Sequence, residues 1–262
     1  MQGHFIQGHK HRLFVLQLGA LQPQRCILCL PPLFEEMNLS RAIIAKASRY
    51  LVEKGYTVFC LDYAGTGDSE GELESVDAEL WRQDLKLTLD WLAEKGVQDP
   101  VLWGVRFGAL LAMANLDELS TRYPGISCLL WKPVLNGKLL MSQFIRVKQA
   151  NAMIQGDEKI DWRKKILEGE TVEVAGYPIS AALLQTVESM VMPSELPENS
   201  AVAWMELASA NLPLAVNKLK DQWHRPGVVF QSAEGLPFWQ TPELFEQPEL
   251  HAPTYSLLQE LN

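Results

Sequence analysis

Wholly apolar segments of strand length recur through the first half of the chain. They are Cys26–Leu30, Thr57–Leu61, Val101–Val105 and Ile126–Trp131. Unbroken apolar runs of this length are typical of strands that are buried on both faces. The segments between them have apolar residues at helical spacing, which predicts helices from Asn38 or Ser40 to about Lys54, around Trp81–Leu92, and over Phe107–Leu119. This alternation predicts an α/β fold, with a mostly parallel twisted sheet and helices on both faces.

Both ends of the chain extend the pattern. Near the N-terminus, Phe5–Ile6 and Leu13–Leu18 predict a hairpin across a polar turn. The elements predicted towards the C-terminus are a strand at Ala201–Leu207, a helix at Leu214–Trp223, a strand at Val228–Gln231 and a short helix at Leu257–Leu261.

Residues 132–199 interrupt this alternation. The segment contains a basic amphipathic stretch at Gln143–Met153, charged turns at Gln155–Lys165 and a helix candidate at Ser180–Met192. Because an excursion between two sheet strands usually lies over the functional site, we predict an inserted helical cap at residues 132–199. Residues 1–131 and 200–262 then form the core of the fold.

The charge balance excludes two broad classes of function. Lysine and arginine total 23 against 32 aspartate and glutamate residues, which gives a formal net charge of −9. Such an acidic chain repels nucleic acids and anionic lipid surfaces. No apolar run reaches the roughly 18 residues that span a bilayer, and the N-terminal segment lacks the residue order of a secretion signal. We therefore expect a cytoplasmic protein that binds no nucleic acid and has no stable membrane insertion.

The cysteines give no support for a metal or redox site. Cys26 and Cys29 form a C-x-x-C pair, but residues three apart on a strand point to opposite faces of a sheet. Neither a shared metal ion nor a disulfide is expected there. Reduced, buried thiols are the simplest interpretation, and we expect no cofactor and no metal.

The turn after Val101–Val105 has the clearest chemical content. It has the pattern G-x-R-x-G, with Gly104 and Gly108 on either side of Arg106. A G-x-S-x-G turn between a strand and a helix carries the nucleophile of α/β-hydrolases, and here arginine stands in place of the serine. Two more segments fit the same architecture: the glycine-rich loop Leu61–Gly71, and Leu30–Arg41, which follows the third predicted strand.

These three segments closely resemble the exosortase A system-associated hydrolases, of the type with a P-P-x-x-E-E-M-N-x-S-R segment. The resemblance covers residues 25–150 well, including WKPVLNG, and is looser beyond them, where FWQTPEL is similar. It implies an α/β-hydrolase fold, a genomic link to exopolysaccharide production and to protein sorting at the envelope, and possible partners among proteins of an exopolysaccharide locus. The family name also implies hydrolysis.

Arginine changes what such a site can do. Its guanidinium stays protonated and has no lone pair with which to attack a carbonyl. The histidine of a catalytic triad is expected after the last strand, where this chain has Phe238 and Trp239, and His251 reaches the site only if that loop folds back. The position of the acid, near Ala201–Ser209, offers only Glu206. Ordinary acyl-enzyme chemistry is therefore not expected.

Two interpretations of Arg106 remain open. It is expected at a helix N-terminus, where free N–H groups and the helix dipole favour an anion. Either Glu35 or Glu36 pairs with Arg106 and locks the top of the sheet, or the cluster binds a carboxylate, phosphate or sugar, with a glutamate orienting the arginine or acting as general base. Arg106, Glu35 and Glu36 are then the catalytic candidates. The residues expected to bind substrate are Phe34, Asn38, Arg41, Phe107 and Trp239.

Two hypotheses of function follow. The first is an atypical hydrolase, without a serine nucleophile, that acts on an acyl, ester or glycan intermediate linked to exopolysaccharide biosynthesis. The second is a catalytically silent hydrolase-fold protein that binds an anionic metabolite or a partner protein. We expect the ligand to be a small molecule or glycan intermediate with negative charge.

Overall fold

A mostly parallel sheet runs through the centre of the molecule. In the computed structural model, which describes residues 1–155, 160–243 and 245–261, this sheet has eight strands. In chain order the strands are β1 (Gln2–Gln7), β2 (Arg12–Leu18), β3 (Cys26–Leu30), β4 (Thr57–Leu61), β5 (Val101–Val105), β6 (Ser127–Trp131), the separate hairpin β7 (Val172–Val174) and β8 (Tyr177–Ile179), then β9 (Ala201–Leu207) and β10 (Val228–Ala233). The order across the main sheet is β1-β2-β4-β3-β5-β6-β9-β10. Strand β2 is antiparallel to both of its neighbours, and all pairs from β4 to β10 are parallel.

Helices connect the parallel strands, as the alternation of apolar runs predicts. They are α1 (Phe34–Glu53), α2 (Ala78–Glu94), α3 (Phe107–Ala114), α4 (Leu116–Arg122), α5 (Gly137–Gln155), α6 (Trp162–Leu167), α7 (Ala181–Glu188), α8 (Leu214–Gln222) and α9 (His251–Glu260). Among the described helices, none is long and apolar enough to cross a membrane. The predicted α/β fold with a mostly parallel sheet is confirmed.

The continuous apolar runs are explained by two hydrophobic cores, one on each face of the sheet. Along β3, Cys26, Leu28 and Leu30 belong to one core, whereas Ile27 and Cys29 belong to the other. Alternate side chains of a strand point to opposite faces, so every residue of β3 is buried. Cys26 and Cys29 are therefore separated by the sheet, and neither forms a disulfide.

Several predicted helix boundaries are wrong. Helix α9 begins at His251, six residues before the predicted Leu257, and α7 ends at Glu188, before the predicted Met192. Helix α1 begins at Phe34, before Asn38 and Ser40, and its N-cap residue Leu33 provides no side-chain cap. The helix predicted at Phe107–Leu119 is broken at Asn115, which separates α3 from α4. At the break, the Asn115 side-chain amide donates to the Leu111 carbonyl oxygen over 2.6 Å, and such side-chain bonds to the backbone compete with a continuous helix.

Residues 132–199, called the insert below, form α5, α6, β7, β8 and α7 between β6 and β9. Part of the charged segment predicted at Gln155–Lys165 lies outside the described residues (156–159), and Trp162–Leu167 is a helix, whereas the pattern predicted turns. The β7–β8 hairpin was not predicted. Phe144 of α5 stacks on Phe34 of α1, with ring centroids 4.2 Å apart. The insert therefore packs against the start of α1.

Candidate functional site

Arg106 lies in a sharp turn between β5 and α3. Its backbone has φ 54° and ψ −112°, in the positive-φ region that side chains other than glycine rarely adopt. Both neighbouring glycines are required by close packing: a Cβ on Gly108 would lie 1.9 Å from the Leu30 carbonyl oxygen, and a Cβ on Gly104 would lie 2.4 Å from the Ala109 Cα. The G-x-R-x-G pattern thus builds a turn that presents Arg106 at the carboxyl end of β5.

Strained backbone recurs at this edge of the sheet. Phe34, Arg106, Lys132 and Ala208, all with positive φ, follow the carboxyl ends of β3, β5, β6 and β9. In open α/β sheets, ligands bind outside the carboxyl ends of the strands. Strain of this kind is concentrated at functional sites in folded proteins, so this edge is the best candidate for a binding site.

The Arg106 guanidinium makes a two-bond ion pair with Glu36. Its Nε donates to Oε2 over 3.1 Å and its Nη2 donates to Oε1 over 2.9 Å, while Nη1 donates to the Lys132 carbonyl oxygen over 3.3 Å. Arg106 is only 9% exposed. Planar two-bond pairing of this kind is the strongest geometry that arginine and a carboxylate adopt. Of the two predicted partners, Glu36 therefore pairs with Arg106.

The indole ring of Trp239 lies next to this ion pair. The Arg106 Cζ lies 5.0 Å from the Trp239 ring centroid, and the Lys132 Nζ lies 6.0 Å from it. Lys132 in turn pairs with Glu206, whose Oε2 accepts a hydrogen bond from the Trp204 indole N–H over 3.1 Å. Two cations thus lie near the Trp239 indole, and each of them pairs with its own carboxylate. The positive charge expected at this end of the sheet is balanced inside the protein.

Glu35 has a different role from Glu36. It accepts hydrogen bonds from the Tyr177 hydroxyl at 3.3 Å and from the Asn38 amide at 3.5 Å. Asn38 also donates to the Tyr177 oxygen over 2.9 Å. Burial, and secondarily the charge of Glu35, raise the pKa of Tyr177 to about 12. Glu35 and Asn38 therefore connect α1 to the β7–β8 hairpin of the insert.

A cavity of about 310 Å³ lies between the start of α1, helix α5 and the loop that contains Trp239. We call it the α1–α5 cavity. Most of its wall is apolar or aromatic, and its polar groups are two carboxylates and two amides. The lining residues are Leu33, Phe34, Glu35, Glu36, Leu39, Leu140, Gln143, Phe144, Val147, Ala175, Trp239 and Gln240. An apolar pocket with a few convergent polar groups is the usual form of a small-molecule site.

The described residues of this cavity include no histidine. His251 stacks on Tyr50 at the start of α9, with ring centroids 5.0 Å apart. Ser69 is held in its loop, because its Oγ donates to the Asp62 carbonyl oxygen over 2.5 Å and accepts from the Phe14 N–H over 2.8 Å. Neither residue is placed as part of a triad with the turn at Arg106.

The structure changes the expected roles of several residues. Phe107 is fully buried and packs against Trp81 and Tyr63, so its side chain does not line the α1–α5 cavity, and its role in binding substrate stays a prediction. Phe34 and Trp239 do line the α1–α5 cavity, whereas Arg41 pairs with Asp62 at 3.4 Å and lies outside that cavity.

Two residues of the site, Lys132 and Tyr177, are not predicted from the sequence pattern. Lys132 directly follows the buried strand β6, which is a signal that could have pointed to it. Tyr177 lies on a three-residue strand without a recognisable pattern.

Comparisons of the sequence with known proteins give two partial matches. A family model for X-Pro dipeptidyl-peptidases (S15 family) matches residues 21–142, which is less than half of the chain. An uncharacterised protein of Rickettsia prowazekii is 33% identical over 98 residues, which are 37% of this chain and 38% of that protein. The chain thus matches well under half of the length of that relative.

Solved structures match over nearly the whole length of the chain. The esterase Est1E of Butyrivibrio proteoclasticus, solved with ferulic acid, has a TM-score of 0.67 and 15% identity, covering 98% of this chain and 96% of that one. The esterase EaEST of Exiguobacterium antarcticum has a TM-score of 0.65 and 15% identity, with 99% of each chain covered. Mouse alpha/beta hydrolase domain-containing protein 10 has a TM-score of 0.64 and 18% identity, with 100% of both chains covered. With the sheet order and the turn at Arg106, these matches establish that the chain has the α/β-hydrolase fold.

Proposed function

We propose that this α/β-hydrolase-fold protein binds a glycan-containing intermediate in the α1–α5 cavity and forms no covalent acyl-enzyme there. The observation that carries the proposal is the Glu36–Arg106 pair over Trp239. In α/β-hydrolases the strained strand-to-helix turn carries the nucleophile, and the histidine comes late in the chain. Here the turn presents a guanidinium that is bonded to a carboxylate, and an indole packs against it.

The wall of the cavity supports a sugar-like ligand. Phe34, Phe144 and Trp239 line the cavity, and the half-buried Phe144 offers aromatic surface against which the apolar face of a sugar ring can pack. Carboxylates and amides at Glu36, Gln143 and the neighbouring positions offer hydrogen bonds to hydroxyl groups. An anionic ligand would have to displace Glu36 from Arg106. We therefore favour a neutral, hydroxylated ligand over the anionic one that the sequence predicts.

The biological setting in this proposal comes from the resemblance to exosortase A system-associated hydrolases. It suggests an intermediate of exopolysaccharide production as ligand and interaction with products of the same locus. The proposal also includes a cytoplasmic location, which the sequence predicts from its charge and cysteines. The division into a core of residues 1–131 and 200–262 and a cap of residues 132–199 belongs to the proposal as well, with the cap closing over the ligand.

Covalent labelling tests the absence of an activated nucleophile. We expect a fluorophosphonate probe to leave the intact mass of the wild type unchanged, while a serine esterase in the same experiment is labelled. Arg106→Ser restores the G-x-S-x-G pattern but supplies no histidine, so we expect this variant to remain unlabelled as well. Stoichiometric labelling of the wild type would contradict the proposal.

Thermal shift and calorimetry test the ligand class. Methyl glycosides of neutral sugars are the probes, and methyl glucuronide is the charged comparison. We expect a neutral glycoside to bind, and Gln143→Ala, which removes a cavity amide, to weaken that binding several-fold. Gln185→Ala on α7 is the matched control, because this exposed residue lies outside the cavity. Preference for the glucuronide would favour the anionic ligand instead.

Hydrolysis with Glu36 as general base is the second candidate. It is favoured by the position of Glu36, whose carboxylate contacts Arg106 and also lines the cavity. In this reaction Glu36 takes a proton from water, the hydroxide oxygen adds to an ester carbonyl, and collapse of the adduct releases the alcohol with that proton.

A panel of p-nitrophenyl esters separates the two candidates. General-base hydrolysis requires turnover by the wild type that is lost in Glu36→Gln and kept in the matched variant Glu35→Gln. Wild-type turnover that persists in both Glu36→Gln and Arg106→Ala would remove this pair from the reaction. No wild-type turnover, together with glycoside binding, supports the binding function.

A further inference from the structure

A second cavity lies on a different side of α1, against the antiparallel part of the sheet. It has a volume of about 190 Å³ and shares no lining residue with the α1–α5 cavity. We call it the α1–β2 cavity. Its wall combines apolar side chains of β2 and α1, including Leu16, Leu18 and Ile44, with two arginines, Arg41 and Arg49.

The helical period of α1 explains this combination. Arg41, Ala45 and Arg49 are four residues apart and therefore lie on one stripe of the helix. All three line the cavity, opposite Leu16 and the half-buried thiol of Cys60. Leu16 and Cys60 are register partners on β2 and β4. The stripe thus places two guanidinium groups beside an apolar space that the strands enclose.

The charge around this cavity is not balanced. Arg49 is exposed and makes no ion pair with any residue that the structure describes. The Arg41 side chain is 48% exposed and pairs with Asp62 over 3.4 Å. This is longer than a usual N–H···O hydrogen bond, so the guanidinium can still donate to a closer acceptor. Two arginines therefore face one carboxylate, on a protein whose formal net charge is −9.

The volume sets the size of the apolar group that fits. An apolar cavity of about 150 Å³ holds a molecule of six carbons such as benzene. The α1–β2 cavity, at about 190 Å³, is somewhat larger. It therefore suits an alkyl chain of about six to eight carbons, by comparison with that example.

We propose that the α1–β2 cavity binds a medium-chain carboxylate. The alkyl chain lies between Leu16, Leu18 and Ile44, and the carboxylate accepts hydrogen bonds from Arg49, with Arg41 beside it. Guanidinium groups match the planar geometry of a carboxylate, while burial of the chain removes apolar surface from water. This site is independent of the function proposed for the α1–α5 cavity.

Isothermal titration calorimetry with octanoate tests this site. We expect octanoate to bind to the wild type, and Arg49→Gln to bind it about tenfold more weakly, as loss of one charge-assisted contact implies. Ala45→Phe fills the cavity and should abolish binding. Octanol and octylammonium, which lack the negative charge, should bind at least tenfold more weakly than octanoate. Equal binding of octanol, or no heat with octanoate, would overturn the proposal.

The Cys60 thiol reports where the ligand binds. Burial raises the pKa of Cys26 to about 11 and that of Cys128 to about 12, and it raises the pKa of Cys29 well above the ordinary value. N-ethylmaleimide at neutral pH is therefore expected to react at the half-buried Cys60, with Cys60→Ser as the control. Octanoate should slow this alkylation in the wild type and not in Ala45→Phe. Binding that leaves the alkylation rate unchanged would place octanoate elsewhere and refute the site.

Discussion

The ion pair at Arg106 illustrates what a buried charge needs at the scale of one residue. Removing a guanidinium from water is costly, and only good geometry and further hydrogen bonds offset that cost. Arg106 has two bonds to Glu36, one to a backbone carbonyl and an indole against its face. The pair is thus stable as a unit, but each partner depends on the other.

This dependence predicts that substitution of two neighbouring glutamates, Glu35 and Glu36, changes the free energy of unfolding by different amounts. Glu36→Gln leaves the Arg106 charge unpaired in a mostly buried site, so we expect the free energy of unfolding to fall by about 2 kcal/mol, below the full cost of a fully buried pair because Glu36 is 20% exposed. Glu35→Gln keeps its polar contacts and should change it by less than about 0.5 kcal/mol. Urea denaturation measures both.

The comparison is well matched, because Glu35 and Glu36 both lie in the first turn of α1. Each substitution removes one negative charge next to the same helix dipole. The difference between the variants therefore isolates the pairing with Arg106. Equal destabilisation would mean that the pair contributes nothing beyond the dipole.

At the scale of elements, the first residues of helices α1 and α2 are set by different interactions. Helix α1 begins without a side-chain cap. The backbone turns sharply at its first residue, Phe34, which has φ 56°. Its start is therefore set by the packing of Phe34 against the insert and by the connection from β3. Helix α2, in contrast, is capped locally: the Asp77 carboxylate accepts from the Leu80 N–H over 2.8 Å.

The α2 cap gives a second prediction. Asp77→Ala removes the acceptor for the Leu80 N–H, and we expect it to lower the free energy of unfolding by about 1 kcal/mol. Asp77→Asn preserves a capping oxygen and should recover most of that loss. Thermal or urea unfolding distinguishes them. Equal losses in both variants would assign the effect to the charge of Asp77.

At the scale of the whole molecule, the N-terminal hairpin is joined to α2 through a buried carboxylate. The Asp84 side chain is completely buried; its Oδ1 accepts the His9 backbone N–H over 2.8 Å, while its Oδ2 has no hydrogen-bond partner. Burial raises the pKa of Asp84, and the bond from His9 opposes this only in part. The ionised form is thus disfavoured in the fold.

The raised pKa determines the sign of a pH effect. The folded protein binds this proton more tightly than the unfolded chain does, so ionised Asp84 lowers the stability above its folded pKa. That loss disappears as the pH falls towards about 4, the ordinary value for aspartate. We expect Asp84→Asn to raise the free energy of unfolding at pH 7, and the gain to shrink as the pH approaches 4.

Urea denaturation at several pH values checks this prediction, with Asp221→Asn as the control. Asp221 is exposed on α8, so its substitution should have a small effect at each pH. A gain from Asp84→Asn that grows on acidification would contradict the assigned cause. So would destabilisation at neutral pH.

Much of the fold follows from the sequence, because its signals are local. The strands at Cys26–Leu30, Thr57–Leu61 and Val101–Val105 have the predicted bounds, since an apolar run that is buried on both faces leaves a sharp boundary. The turn at Arg106 is also predicted from the sequence, because close packing there requires the two glycines, Gly104 and Gly108, that form the pattern.

Which residues contact one another in the site could be learned only from the tertiary structure. The pairing of Arg106 with Glu36 and not Glu35, the balance of charge through Lys132 and Glu206, and the burial of Phe107 depend on how separate segments pack together. No local pattern carries that information, since the partners in the two ion pairs are 70 or more residues apart along the chain. The sequence by itself determined the sheet and the strained turn; only the folded chain decided which carboxylate neutralises the arginine, because pairing depends on distance in space.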